Sequence, residues 1–248
     1  MWGRWANVSS HRTPPPPQKR PTSFDCAQDD KSRVPANPGC VETLDAYLER
    51  LASDAAVPGG GSAAALVASF GAALTAMVAR IARRNPKNAA STEALDAIVE
   101  RADSLRAEIA DARLRDEEAF AAVVAAQALP KDTETAKAER RQALDDALAR
   151  AAAEPLRATA LSLQVLELLE NVLKFPIHAL SSDVGSAAEF AGAALASAAY
   201  NVRINHRFMR DPEIVALQEQ ALQEREAAVS ASLARVRRQI EEGAPDNV

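Results

Sequence analysis

Cysteine is missing from most of this chain. Cys26 and Cys40 are the only two in 248 residues, so neither a disulfide framework nor a thiolate metal site can organise the chain beyond residue 40. A reducing, cytoplasmic location is the simplest expectation. Histidine is nearly as scarce, with only His11, His178 and His206, and their spacing builds no zinc site. No metal is expected. Positive charge does not dominate either. A net charge of −5 argues against nucleic acid or an anionic membrane held by bulk electrostatics. The apolar runs are read as too interrupted for a membrane span. There is no Gly-x-Ser-x-Gly elbow for a serine hydrolase. Aromatics make up only 4%, so any core must be built from smaller side chains.

What is present is alanine, which dominates a hydrophobic content of 48%. Alanine loses no side-chain entropy on ordering and is the strongest helix former. Residues 1–40 stand apart. They hold 7 of the 14 prolines, including Pro14–Pro17, and both tryptophans, with no helical periodicity. They are expected to be a disordered tail. Helical patterning starts abruptly at Val41 and no methionine lies between Met1 and Met77, so Val41 is a candidate true start. Residues 244–248 read as a short C-terminal tail.

From residue 41 to 243 the pattern predicts an all-α domain, a bundle of five to seven long, mostly antiparallel helices. Thr43 caps a first helix with Leu44, Tyr47, Leu48 and Leu51 on one stripe. Pro58-Gly59-Gly60-Gly61 breaks the chain, and Ser62 is the predicted cap of an apolar helix from Ala63 to Arg84. Arg80, Arg83 and Arg84 suit its negative C-terminal end. A third helix runs from Thr92 to Leu129. A fourth starts near Thr133, with Pro155 expected to kink it before Val172. Another spans Asp183 to Met209, and a last one follows Pro212 and ends near Gly243.

Three segments carry candidate chemistry. The third helix has an apolar stripe through Leu95, Ile98, Ala102, Leu105, Ile109 and Ala112, resuming at Phe120, Val123 and Val124. Asp116 is seven residues from both Ile109 and Val123, which places it on the same face. Glu117 and Glu118 turn away from that line. A carboxylate facing a core is either satisfied by a structural partner or is a functional group with a raised pKa, and helical phase alone does not choose between these. In the Gly59-Gly60-Gly61-Ser62 turn, backbone N–H groups are exposed at a helix N-terminus, a seat for an anion or a flat heterocycle. It lacks the Lys-Ser/Thr of a Walker loop. On the small-residue helix, Asn201 and Asn205 are four apart on one side, either tying helices together or reading a heterocycle edge.

Taken in order, Pro58-Gly59-Gly60-Gly61-Ser62-Ala63-Ala64-Ala65, Asp116-Glu117-Glu118-Ala119-Phe120, Leu129-Pro130-Lys131, Ser182-Asp183 and Asn201-Val202-Arg203-Ile204-Asn205 resemble the cyclodeaminase/cyclohydrolase family of folate enzymes. The resemblance spans about residues 41–243. It implies an all-helical homodimer that acts on a tetrahydrofolate derivative without metal or permanently bound cofactor. It makes Asp116 the catalytic residue. It places Gly59, Gly60, Gly61, Ser62, Lys137, Arg140, Asp183, Asn201 and Asn205 in substrate binding. Arg80, Arg83 or Lys137 are candidates for holding the glutamate tail. Before Ser182 the chain departs from the family pattern, with Phe175-Pro176-Ile177-His178 where many members have a Gly-Asn pair. The implied activity is methenyltetrahydrofolate cyclohydrolase. The alternatives are formiminotetrahydrofolate cyclodeaminase and a non-enzymatic helical interaction protein.

Overall fold

The structure is a computed structural model that describes residues 42–177 and 180–243. The expected N-terminal tail, the Val41 start, the C-terminal tail and His178 lie outside these residues. Six α-helices make up the domain: α1 (Leu44–Leu51), α2 (Gly60–Arg83), α3 (Thr92–Gln127), α4 (Glu134–Val172), α5 (Ser181–His206) and α6 (Pro212–Gly243), with a 3-10 turn at Pro86–Ser91. No strand occurs among the described residues.

Cross-helix partners fix the directions. Gly61 lies against Asp116, whereas Arg80 pairs with Asp103 and Arg83 with Asp96, so α2 and α3 are antiparallel. Arg101 reaches Gln164 and Arg115 reaches Glu154, so α4 returns antiparallel to α3. Gly60 meets Asn201 and Gly71 meets Ala187, which makes α5 antiparallel to α2. Helices α2 to α5 thus form a four-helix ring, and α6 lies across α4 and α5. Arg203 clamps α6 by bonding both Glu219 and Glu226, and Arg237 repeats the clamp on Glu189.

The main core is aliphatic, with Leu95, Leu105, Ile109, Val165, Leu166, Leu169 and Val184 interleaved with alanines. Alanine at the contacts lets the backbones approach closely. A Cβ at Gly71 would stand 3.1 Å from the Ala187 carbonyl oxygen. A second, smaller core joins Ala119, Val123 and Ala126 of α3 to Ala147, Leu148 and Ala151 of α4. It exists because α2 begins level with Asp116, so the last turns of α3 run on past it beside α4, with Met209 packed against them.

That overhang corrects one expectation. The stripe on α3 predicts burial for Phe120 and Val124, but both are exposed and only Val123 is buried. No part of α2 extends far enough to cover them. The α1 stripe is also mostly open, with Leu44 and Leu48 exposed and Tyr47 buried. Thr43 and Thr133 cap their helices as expected, accepting from Ala46 N–H and Ala136 N–H. Ser62 does not cap. Helix α2 starts three residues earlier than expected, Gly59 is its N-cap, and Ser62 sits inside the first turn, fully buried. Pro155 interrupts neither α4 nor its burial. Residues 55–79 carry no charge at all, and Gly60–Arg83 is long and apolar enough to cross a membrane. More than half of its most apolar stretch is buried inside the protein, as befits the central helix of a bundle.

Candidate active site

The site forms where α2 begins. The first N–H groups of a helix have no carbonyl ahead of them, so Gly60, Gly61 and Ser62 present unsatisfied donors at the positive end of the dipole. Asp116 occupies that position from α3. Its carboxylate accepts a hydrogen bond from the Ser62 backbone N–H. Gly61 lies so close beneath it that a Cβ there would be 2.6 Å from Asp116 Cγ. An added Cβ here would displace the Asp116 carboxylate, so glycine seats that group by contact, not by backbone twist.

Burial pushes the Asp116 pKa up to about 6, from an ordinary value of 3.8. The Ser62 N–H opposes this, while the neighbouring negative charges of Glu117 and Glu154 reinforce it. The spacing argument therefore placed Asp116 on the right face. Among the described residues no arginine or lysine is seen to neutralise it: Arg115, the next residue back, turns instead to Glu154 and Asp111.

Glu117 turns away from the Asp116 line, as expected, but toward α1 and not into solvent, and it is only 12% exposed. Oε1 accepts from Ser62 Oγ at 2.8 Å and from Arg113 Nη1 at 2.9 Å, and Oε2 accepts from Arg50 Nη2 at 2.7 Å. Tyr47 OH lies 3.0 Å from Ser62 Oγ, and Arg113 stacks 5.1 Å above the Tyr47 ring. Burial raises the Tyr47 pKa. This polar cluster is what docks the short α1.

From α5, Asn201 closes the opposite wall. A Cβ on Gly60 would be 3.2 Å from Asn201 Nδ2. That nitrogen donates to its own helix at Ser197 O, 2.9 Å away, which fixes the amide plane over Gly60. Asn205 has a different task. Proline has no N–H, so Pro155 leaves the carbonyl four residues back without its helical donor. That carbonyl is Ala151 O, and Asn205 Nδ2 donates to it at 2.8 Å, and to Asn201 O at 2.8 Å. The structure gives Asn205 the tying role that the sequence left open.

Other expected positions are remote from Asp116. Lys137 and Arg140 lie on the overhanging end, where Arg140 bonds Gln127 O at 3.1 Å and Lys137 pairs with Glu134. Gln127 is ~16 Å beyond Asp116 along α3. There Lys131, Lys137, Arg140, Arg141 and Arg210 face Asp145 and Phe208 around a cavity of about 320 Å³. Asp183 sits in the first turn of α5, ~27 Å along that helix from Asn201. Arg80 and Arg83 are ion-paired at the far end of α2, ~29 Å and ~33 Å from Gly61 by helix rise. Within one chain, neither Asp183 nor these arginines can share a ligand with Asp116. Gly59 stands clear, with nothing within 4 Å of where a Cβ would be. A groove of about 530 Å³ between α4 and α6 contains none of the expected residues, and Glu170 there is held by Ser232 and Arg235. Among the described residues, no group of three His, Cys, Asp or Glu is placed to hold a metal.

The family model for formiminotransferase-cyclodeaminase matches residues 43–224, a span that includes every element of this site. The chain belongs to the formiminotransferase-cyclodeaminase family. Within this family, a methenyltetrahydrofolate cyclohydrolase from Methylorubrum extorquens is 36% identical over 170 residues, covering 68% of this chain and 82% of the relative. Formimidoyltransferase-cyclodeaminase from Rattus norvegicus is 32% identical over 171 residues, but these cover only 31% of that longer protein. The solved formiminotetrahydrofolate cyclodeaminase from Thermotoga maritima superposes with a TM-score of 0.74 at 26% identity, covering 81% of this chain and 96% of that one.

Proposed function

We propose that this protein is a methenyltetrahydrofolate cyclohydrolase, with Asp116 as its catalytic residue. The observation that carries this reading is an uncompensated carboxylate, pushed up to about 6, held at a glycine-lined helix start. The methenyl bridge is an amidinium cation, and such a cation beside Asp116 compensates the charge that burial destabilises. Water adds to the bridging carbon as the C=N π pair moves to nitrogen, and Asp116 takes the water proton. The carbon–N5 bond of the adduct then breaks, N5 takes up a proton, and 10-formyltetrahydrofolate forms with net release of one proton. Gly60 and Gly61 offer N–H donors, and the Asn201 amide offers an edge for the heterocycle. Lys137 and Arg140 take the anionic tail at the overhang. The reading includes a cytoplasmic site of action and no permanently bound cofactor.

Loss of methenyltetrahydrofolate absorbance, with wild type and Asp116→Asn beside the spontaneous reaction, tests this directly. Decay no faster than the spontaneous rate with wild-type protein defeats it. The second reading, formiminotetrahydrofolate cyclodeaminase, is favoured by the near-complete coverage of the T. maritima structure. In that reaction Asp116 would take the N10 proton and ammonia would leave, so ammonia release identifies it.

The reading also includes a homodimer, supported by an uncovered apolar face. Phe70, Leu74, Met77 and Ile81 line one side of α2, and Phe190, Tyr200 and Ile204 line the adjoining side of α5. The Phe70 and Phe190 rings stand 6.3 Å apart, and Tyr200 is 76% exposed. Residues 55–79 and 190–202 contain no charge. Two such helices side by side over ~30 Å offer roughly 600 Å². That approaches the ~800 Å² per partner of a standard interface and lies at the top of the ~300–600 Å² range for the largest patch on a monomer. Tyr200 adjoins Asn201, so a second copy seated here would border the site. Light scattering should give twice the chain mass, and Phe70→Asp should halve it. A monomeric wild type removes the dimer from the reading.

A further inference from the structure

Asp116 and Glu117 are consecutive carboxylates that grip the same residue, Ser62, by different groups. Asp116 accepts its backbone N–H, and Glu117 accepts its hydroxyl. We propose that Glu117 is a positioning residue for Asp116, acting through Ser62 and not through substrate. Both Glu117 oxygens are already engaged, by Ser62 and Arg113 on one side and by Arg50 on the other. The side chain has little exposure left for a ligand.

The need for such a residue comes from the turn itself. Helix-start N–H groups have no helical partner to hold them, and three consecutive glycines supply no side chains that could. Between residues 59 and 62, Ser62 carries the one side chain through which this turn can be anchored. Its hydroxyl is clamped between Tyr47 OH and Glu117 Oε1. Arg50 and Arg113 hold Glu117 in place, and Arg113 in turn rests on the Tyr47 ring. The clamp therefore sets the peptide whose N–H meets Asp116. The charged groups around Asp116 are Glu117 on its own helix and Glu154 on α4, against the Ser62 N–H on α2, with the neutral Asn201 amide on α5. Glu117 thus also biases Asp116 toward its protonated form.

This inference rests on Asp116 handling the proton, so its test carries a readout that needs no substrate. In Ser62→Ala the backbone donor and the Glu117 charge stay while the clamp is lost. In Glu117→Gln the amide oxygen still accepts from Ser62 while the charge is lost. Ser62→Ala should lower kcat for methenyltetrahydrofolate by roughly 10- to 100-fold, with KM changed by less than about 2-fold. Glu117→Gln should move the acid limb of the rate profile, and the carbon-13 titration of the Asp116 carboxyl in the free protein, toward lower pH. Should Glu117→Gln fail to fold, the kcat-against-KM split in Ser62→Ala decides alone. An unchanged Asp116 titration in Glu117→Gln, an unchanged kcat in Ser62→Ala, or a loss in either variant confined to KM, overturns the proposal. Absence of turnover by wild type would defeat the cyclohydrolase reading and leave the titration to judge this one.

Discussion

The two ends of α2 look equally like sites in the sequence, one rich in glycine and the other in arginine. In the fold they have opposite electrostatic characters. At the C-terminal end Arg80 meets Asp103 and Arg83 meets Asp96 near the surface. At the N-terminal end Asp116 is buried beside two further carboxylates and has one backbone donor for support. An arginine already paired with a carboxylate has little left to offer a substrate. A helix end that keeps a carboxylate desolvated and uncompensated is arranged for a cation or a proton.

The strongest way to break this contrast is Asp116→Asn. It should lower cyclohydrolase kcat by about 10²- to 10⁴-fold, the usual size of a lost general base. A loss of less than tenfold in steady-state kinetics would make the N-terminal end as inert as the other. Next comes a comparison inside the glycine turn. Gly61→Ala puts a Cβ 2.6 Å from Asp116 Cγ, whereas Gly59→Ala enters open space. The first should cost roughly 100-fold in kcat and the second less than about 3-fold. Equal effects would mean that the turn matters for flexibility, not for seating the carboxylate.

The third prediction concerns pH. Folded Asp116 holds its proton more tightly than an unfolded aspartate, with a pKa of about 6 against 3.8. Its favourable contribution to stability is therefore complete below about pH 4 and is lost as pH rises through about 6. Urea unfolding should find Asp116→Asn more stable than wild type by about 1–2 kcal/mol at pH 7.5, with the gap closing at about pH 4. Activity runs the other way, with an acid limb rising through about pH 6 as the base ionises. The smallest effect belongs to the C-terminal end. Arg80→Ala or Arg83→Ala should change stability by about 0–1 kcal/mol and KM by less than about 2-fold. A large rise in KM for either would place substrate where the single chain shows only ion pairs.

Much of the fold is legible in the sequence because helices are local. Thr43 and Thr133 announce their caps, and the seven-residue spacing from Ile109 through Asp116 to Val123 announces the face. The same spacing turns Glu117 away from that face but does not show what it meets, for a specific reason. Periodicity measures direction relative to the main core, and Glu117 points at α1, an eight-residue helix lying off that core. The i, i+4 pair Arg113 and Glu117 is visible, but nothing local shows that Arg50 and Ser62 join it. Phe120 and Val124 are misassigned because a stripe does not reveal where the neighbouring helix begins. Asn205 cannot be resolved from sequence, because its partner carbonyl is 54 residues away and is freed by a proline on another helix.

The sequence by itself determined the helices, the caps at Thr43 and Thr133, the glycine turn and the phase of Asp116, since these depend on residues within a few turns of one another. Tertiary structure decided whether that carboxylate would be compensated. Its pKa depends on burial, on the Ser62 N–H from α2, and on the charges of Glu117 and of Glu154 on α4. Burial and unpaired charge are properties of the space between helices, and a chain acquires that space only by folding.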